Sequence, residues 1–213
     1  MKSPFKFLDA YTAVDKEIFF GRDKEIDVLY NLVFKTPLVL VYGMSGTGKT
    51  SLVQCGLAIR FDGPDWLPFY IRRENNINIT LQSTLNAALD DKRANDLPEI
   101  ITNLFYTYFR PIYLIFDQFE ELFILGTREE QQQFMHDIQG LITKELPCKI
   151  IFIMREEYIG QLYEFEKIIP GIFDYKLRVE SMNNKHVKEV MLQSFSKFNI
   201  ACLLYTSPSP RDS

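Results

Sequence analysis

The chain has 213 residues, 46% of them hydrophobic, enough for one α/β core with some additional structure. Lys and Arg number 24 against 28 Asp and Glu, a formal net charge of -4 that argues against a general nucleic-acid-binding surface. Cys55, Cys148 and Cys202 show neither disulfide nor zinc spacing, and no apolar run approaches bilayer-crossing length, so a reduced, cytoplasmic domain is expected.

In chain order, the first predicted element is a helix marked by Ile26, Leu29 and Val33. It follows "IFFGRDKEIDVL", where Asp23 reads as a helix cap on spacing alone. Next comes "LVLVY" (38–42), a continuous apolar run expected to be a strand covered on both faces. Gly43 follows, and Gly43-x4-Gly48-Lys49-Thr50 fits G-x-x-x-x-G-K-[ST] without a mismatch. Here Gly43, Met44, Ser45, Gly46, Thr47, Gly48, Lys49, Thr50 and Ser51 form the predicted phosphate loop. Glycines let successive N–H groups turn inward around an anion where side chains would collide, and the helix opening near Lys49 adds its positive end. Lys49 is expected at the β- and γ-phosphates, and the Thr50 hydroxyl on Mg²⁺. The ligand class is a nucleoside triphosphate.

A second strand, "PFYIR" (68–72), precedes a helix marked by Leu81, Leu85 and Leu89. The third strand, "IYLIF" (112–116), runs into Asp117, whose position suits a Walker B carboxylate that shares Mg²⁺ with Thr50. The alternative for Asp117 is a helix N-cap. Glu120 and Glu121 follow within one turn; one can orient or deprotonate attacking water, and Glu120 is the preferred candidate. Thr127 and Glu130 form a capping-box signature for a helix carrying Phe134, Ile138 and Leu141. "KIIFIM" (149–154) ends at Arg155, expected between the Walker strands and pointing at a γ-phosphate; the alternative is a surface pair with Glu156 or Glu157. "YKLRV" (175–179) and a helix with Val187, Val190 and Met191 close the sequence.

Strands alternating with helices predict a mostly parallel, five-stranded, three-layer α/β sheet, a P-loop NTPase fold with flanking helices. Ligands of such sheets bind beyond the carboxyl ends of the strands, where the loop, Asp117 and Arg155 all fall. His136 and His186 lack partners at metal-ligand spacing and read as surface residues, and Cys55 as a small buried thiol.

Residues 202–213, "CLLYTSPSPRDS", change composition abruptly and resemble a translated sequencing adapter, so the natural chain is expected to continue past Ala201. The expected organisation is a lead-in segment and first helix (1–34), an NTPase core (35–181), the start of a helical subdomain (182–201) and that tail.

Together, "FFGRDKEI", "GMSGTGKT", "LIFDQFEELF" and "IIFIMREEY" resemble the bacterial STAND ATPases, specifically the novel STAND NTPase 1 group, over about Pro4 to Ala201. The resemblance implies an ASCE/AAA+-like core and an ATP/ADP switch. ADP would hold a closed monomer, and ATP with a trigger would favour self-association that activates an effector in signalling or defence. It also implies that Gly21 and Arg22 lie near the base, that Asp117 and Glu120 are the Walker B acids, and that Arg155 is the sensor arginine. Lys49, Asp117, Glu120 and Arg155 are thus the expected catalytic set of a slow ATPase. Two alternatives stand beside it: a nucleotide-binding scaffold with negligible hydrolysis, and a DNA-associated AAA+-like ATPase, which the acidic balance disfavours. Trigger, effector and stoichiometry are not legible.

Overall fold

The strands alternate side chains between two faces, so an apolar residue at every position signals a strand covered twice. The computed structural model of the protein, which describes residues 5–6, 9–61, 63–89, 94, 96–198 and 200, shows this arrangement. Strands β1 (Leu38–Gly43), β2 (Leu67–Ile71), β3 (Ile112–Phe116), β4 (Cys148–Arg155) and β5 (Lys176–Arg178) form one sheet in the order β2-β3-β4-β1-β5. Every pairing is parallel. All five predicted strands are present, and the expected tail lies outside the described residues.

Alternate residues of the same strand serve two separate cores. Leu38, Leu40, Leu114, Phe116, Ile150 and Phe152 face one, packed with α3 (Ile77–Asn86), α4 (Leu97–Tyr108) and α6 (Arg128–Thr143). Val39, Val41, Tyr113, Ile115, Ile151 and Ile153 face the other, against α1 (Asp23–Lys35) and the helical segment after the glycine loop. That segment, α2, opens at Lys49–Ser51, continues in wide π-type turns through Leu52–Leu57 and closes at Ala58–Arg60. Each Leu, Ile or Phe fully buried in these layers contributes roughly 1.5–3 kcal/mol before entropy is charged against it.

Helices α5 (Glu121–Leu125) and α7 (Asn184–Lys197) complete the set. Among the described residues of α7 only Ser194 is buried, so its predicted apolar positions Val187 and Met191 lie largely in the open. No helix among the described residues is long and apolar enough to cross a membrane.

The predicted capping box at α6 forms only in part. Thr127 Oγ accepts from the Glu130 N–H at 3.2 Å, as a cap requires. The Glu130 carboxylate turns instead to Arg73, with Nε at 3.0 Å and Nη2 at 2.7 Å, and also accepts from the Ile77 N–H at 2.7 Å. A buried guanidinium offers a carboxylate two charge-assisted bonds, which outweighs one reciprocal bond to its own helix start.

Candidate functional site

The site lies beyond the carboxyl ends of β1, β3 and β4, and each contributes through the turn that follows it. β1 stops at Gly43, and its neighbour β5 is tied to it there, the Val179 N–H donating to Tyr42 O at 2.7 Å. A Cβ built on Gly43 would stand 2.3 Å from Val179 O, so backbone contact requires glycine at this position. Gly46 and Gly48 differ. Nothing lies within 4 Å of their would-be Cβ atoms, and their φ values of +77° and +86° are the reason for glycine. A steric clash of an added Cβ, with the Val179 backbone, therefore explains Gly43 alone, and backbone conformation the other two. Gly43→Ala should lower stability by about 1–3 kcal/mol by forcing Val179 away from β1, while Gly140→Ala, where a Cβ would meet nothing within 4 Å, serves as the comparison; thermal unfolding measures the loss.

Lys49 opens α2 and is buried. Its ammonium donates to Gly43 O at 2.9 Å and Met44 O at 2.7 Å, the carbonyls of its own loop. Burial pushes this amine below the usual lysine range, Arg155 adds to the depression, and Glu120, Glu157 and Asp117 oppose it. Thr50 follows one residue later and donates to Asp117 Oδ1 at 2.8 Å.

At the tip of β3 the chain reverses within three residues. Asp117 N–H donates to Ile71 O at 2.9 Å and Phe119 N–H to Ile153 O at 2.9 Å, so the turn is tied to the strands on either side. Gln118 between them adopts φ +55°, a left-handed conformation uncommon outside glycine. The reversal drives Phe119 into the core, stacked on Phe152 at 4.1 Å between ring centroids, and leaves Asp117 and Glu120 facing the loop. Both acids are buried, at 3% and 4% exposure, and Asp117 is not the cap of α5. Glu121 is half-buried as the first residue of α5.

Arg155 ends β4, the strand between β1 and β3. It does not pair with Glu156 or Glu157 as a simple surface residue would. Its Nε lies 3.1 Å from Glu120 Oε1, and its N–H donates to Glu120 Oε2 at 3.2 Å. Glu156 is taken by Arg178 at 2.9 Å.

Ser45, Gly46, Lys49, Thr50, Asp117, Gln118, Glu120 and Arg155 thus line one cleft of about 130 Å³. A second cavity of about 330 Å³ adjoins it through Gly46 and lies against Thr47, Gly48 and Ser51 on one side and Tyr11, Phe19 and Phe20 on the other. Met182, Val187 and Val190, the last two from α7, supply its remaining apolar wall. Arg22 lies beside it and is buried, donating to Thr47 O and Glu180 O, both at 2.9 Å, and pairing with Glu25. Gly21 is not among the lining residues; its φ is +80° and a Cβ would meet Val190 Cγ2 at 2.5 Å, so it sits under α7. Met44 is exposed at the crest of the loop.

The donor set suits a hard cation. Thr50 uses its hydrogen on Asp117 and keeps its oxygen lone pairs, and the carboxylate beside it is buried. Among the described residues no group of three or more His, Cys, Asp and Glu could hold a metal. His136 and His186 are exposed, and Cys55 is buried with its thiol pushed up to about 11, an inert environment.

Sequence reasoning missed Arg72, which donates to Asp117 Oδ2 through Nη2 at 2.6 Å and Nε at 3.2 Å. The signal was available: Arg72 follows β2 as Arg155 closes β4. The apolar cavity wall was also missed, because its members are scattered along the chain.

A family model described as novel STAND NTPase 1 matches residues 4–202. No curated protein matches the chain. Among solved structures, a Walker-type ATPase of Pyrococcus abyssi is similar with a TM-score of 0.65 at 19% identity, covering 92% of this chain and 63% of its own. The ADP form of ORC2 from Aeropyrum pernix gives 0.60 at 14%, covering 84% and 53%. AMPPCP-bound DnaA from Aquifex aeolicus gives 0.55 at 18%, covering 93% and 59%. At such identities the likeness is one of fold, and the chain spans between about half and two thirds of each of these proteins.

Proposed function

The chain belongs to the novel STAND NTPase 1 family, and from that premise we propose that it binds ATP and ADP and acts as a slowly hydrolysing switch. The observation that carries this reading is the single cleft that gathers Lys49, Thr50, Asp117, Glu120 and Arg155 beside an apolar cavity. Phosphates fit the loop N–H groups and Lys49, and a base fits the cavity among Phe19, Phe20 and Met182, with Arg22 holding the loop to the segment after β5. Mg²⁺, held by Thr50 and Asp117, would neutralise charge on the β- and γ-oxygens. Glu120 orients the attacking water and accepts its proton, and Arg155 contacts the γ-phosphate.

The slow turnover we infer is supported by how Glu120 sits. Arg155 holds both of its oxygens, through Nε and the backbone N–H, and so occupies lone pairs that an attacking water would use, while the terminal guanidinium nitrogens stay available to a γ-phosphate. The switch follows from the cavity wall. Val187 and Val190 of α7 line the cavity to which we assign the base, which supports a coupling in which occupancy there would be felt by α7. Self-association in the longer protein, in a signalling or defence role, is the output we infer from family membership.

Glu120→Gln should lower ATP turnover about a hundredfold and leave ATP affinity within a few-fold, as expected for loss of a positioned base. Steady-state phosphate release and equilibrium binding measure the two effects, and unchanged turnover would move the role to Glu121. A DNA-associated ATPase is the second reading, favoured by the fold shared with a DNA replication initiation factor at a TM-score of 0.54. Strong stimulation of turnover by DNA would establish it over the switch.

A further inference from the structure

Asp117 is 3% exposed, and both of its oxygens are engaged. Oδ1 accepts from the Thr50 hydroxyl at 2.8 Å, an arrangement that leaves the Thr50 oxygen free to ligate a hard cation. Oδ2 is the oxygen not committed to Thr50, and Arg72 holds it with two donors at 2.6 and 3.2 Å. The backbone dictates this placement. The Asp117 N–H donates to Ile71 O, so the residue that follows β2 lands beside the acid.

The two consecutive arginines have different surroundings. Arg73 forms a fork on buried Glu130, with side-chain exposures of 9% and 3%. The side chain of Arg72 is 55% exposed, and its hydrogen bonds among the described residues go to Asp117. One arginine anchors the strand tip, and the other can swing out to water with little loss of packing. A guanidinium and a divalent cation repel each other across a shared carboxylate, so the two do not hold Oδ2 with full strength together.

Resting on the nucleotide reading above, we propose that Arg72 competes with Mg²⁺ for Asp117 and sets the magnesium requirement of the site. Nucleotide would enter with Arg72 on the acid, and Arg72 would leave Oδ2 as the cation takes its place.

The test uses the full chain loaded with a fluorescent ADP analogue in EDTA and then titrated with MgCl₂. Arg72→Ala should lower the half-saturating Mg²⁺ roughly tenfold, within the span of couplings between linked sites. Arg72→Lys, which keeps the charge, should shift it much less, and affinity for the analogue in EDTA should stay within about threefold in both. Arg72→Gln supplies the same readout with the side-chain bulk retained, should the alanine loosen the tip of β2. An unchanged or raised Mg²⁺ requirement in Arg72→Ala overturns the proposal. So does a dominant loss of analogue affinity in EDTA, which would make Arg72 a phosphate ligand. If the wild-type chain fails to bind the analogue under either condition, the nucleotide reading falls, and this inference with it.

Discussion

Lys49→Ala is expected to reduce ATP turnover about a thousandfold, the upper end of what one preorganised donor to a developing charge contributes. The side chain is buried in the cleft that also contains Asp117 and Glu120. Deleting it removes the amine that opposes those carboxylates and leaves the carbonyls of Gly43 and Met44 without this donor. A phosphate chain would then face two acids with one fewer cation to balance them, so binding should weaken along with chemistry. Lys49→Arg should not restore activity, because a planar fork is longer and differently shaped than a compact ammonium. Phosphate release and nucleotide affinity, measured together, check both effects. Turnover within fivefold of wild type in the alanine variant would remove Lys49 from the mechanism.

The largest expected loss of stability is at Glu130→Ala, about 3–5 kcal/mol, as for a buried charge deprived of its partner. Arg73 would remain buried beneath α6 with no carboxylate, and the Ile77 N–H at the start of α3 would lose its acceptor. For a chain of this length that corresponds to a fall in melting temperature of roughly 10 °C. The pair is costly to break and inexpensive to replace: Arg73→Met combined with Glu130→Leu should recover most of the loss, because no isolated charge is left. Thermal and urea unfolding of the two single variants and the double variant decide the matter. A single-variant loss below 1 kcal/mol would show that the ion pair does not secure the β2–α3 junction.

Those two residues also show where reading along the chain stops. Strands were legible because burial on both faces leaves a local record, an unbroken apolar run such as "IYLIF". The loop was legible because its chemistry is contiguous, and the rim followed from the rule that parallel strands deliver their next residues to one side. That rule, together with the family resemblance, located Asp117 and Arg155, and the sheet order puts them at the ends of adjacent strands. The same rule, applied to the end of "PFYIR", would have found Arg72.

Partnerships between distant residues were not legible. Glu130 and Arg73 are 57 positions apart, and nothing local distinguishes Glu130 from a capping glutamate. Glu120 and Arg155, 35 apart, carry no mark in the chain that they hold each other. Helix α4 was not predicted, although Leu97, Ile100, Ile101 and Leu104 have helical spacing. Aromatic and aliphatic residues of the cavity wall come from positions 11 to 20 and 182 to 190, and only the closed fold brings them to the same place.

The bonds of Arg22 to Thr47 and to Glu180 span 25 and 158 positions, and one guanidinium makes both. Fraying at the start of the opening helix and peeling of the chain beyond the short fifth strand are therefore coupled, because each costs bonds made by that side chain. The early and late stretches of the polypeptide form one thermodynamic unit around the glycine turn, and whatever steadies that turn slows the escape of both.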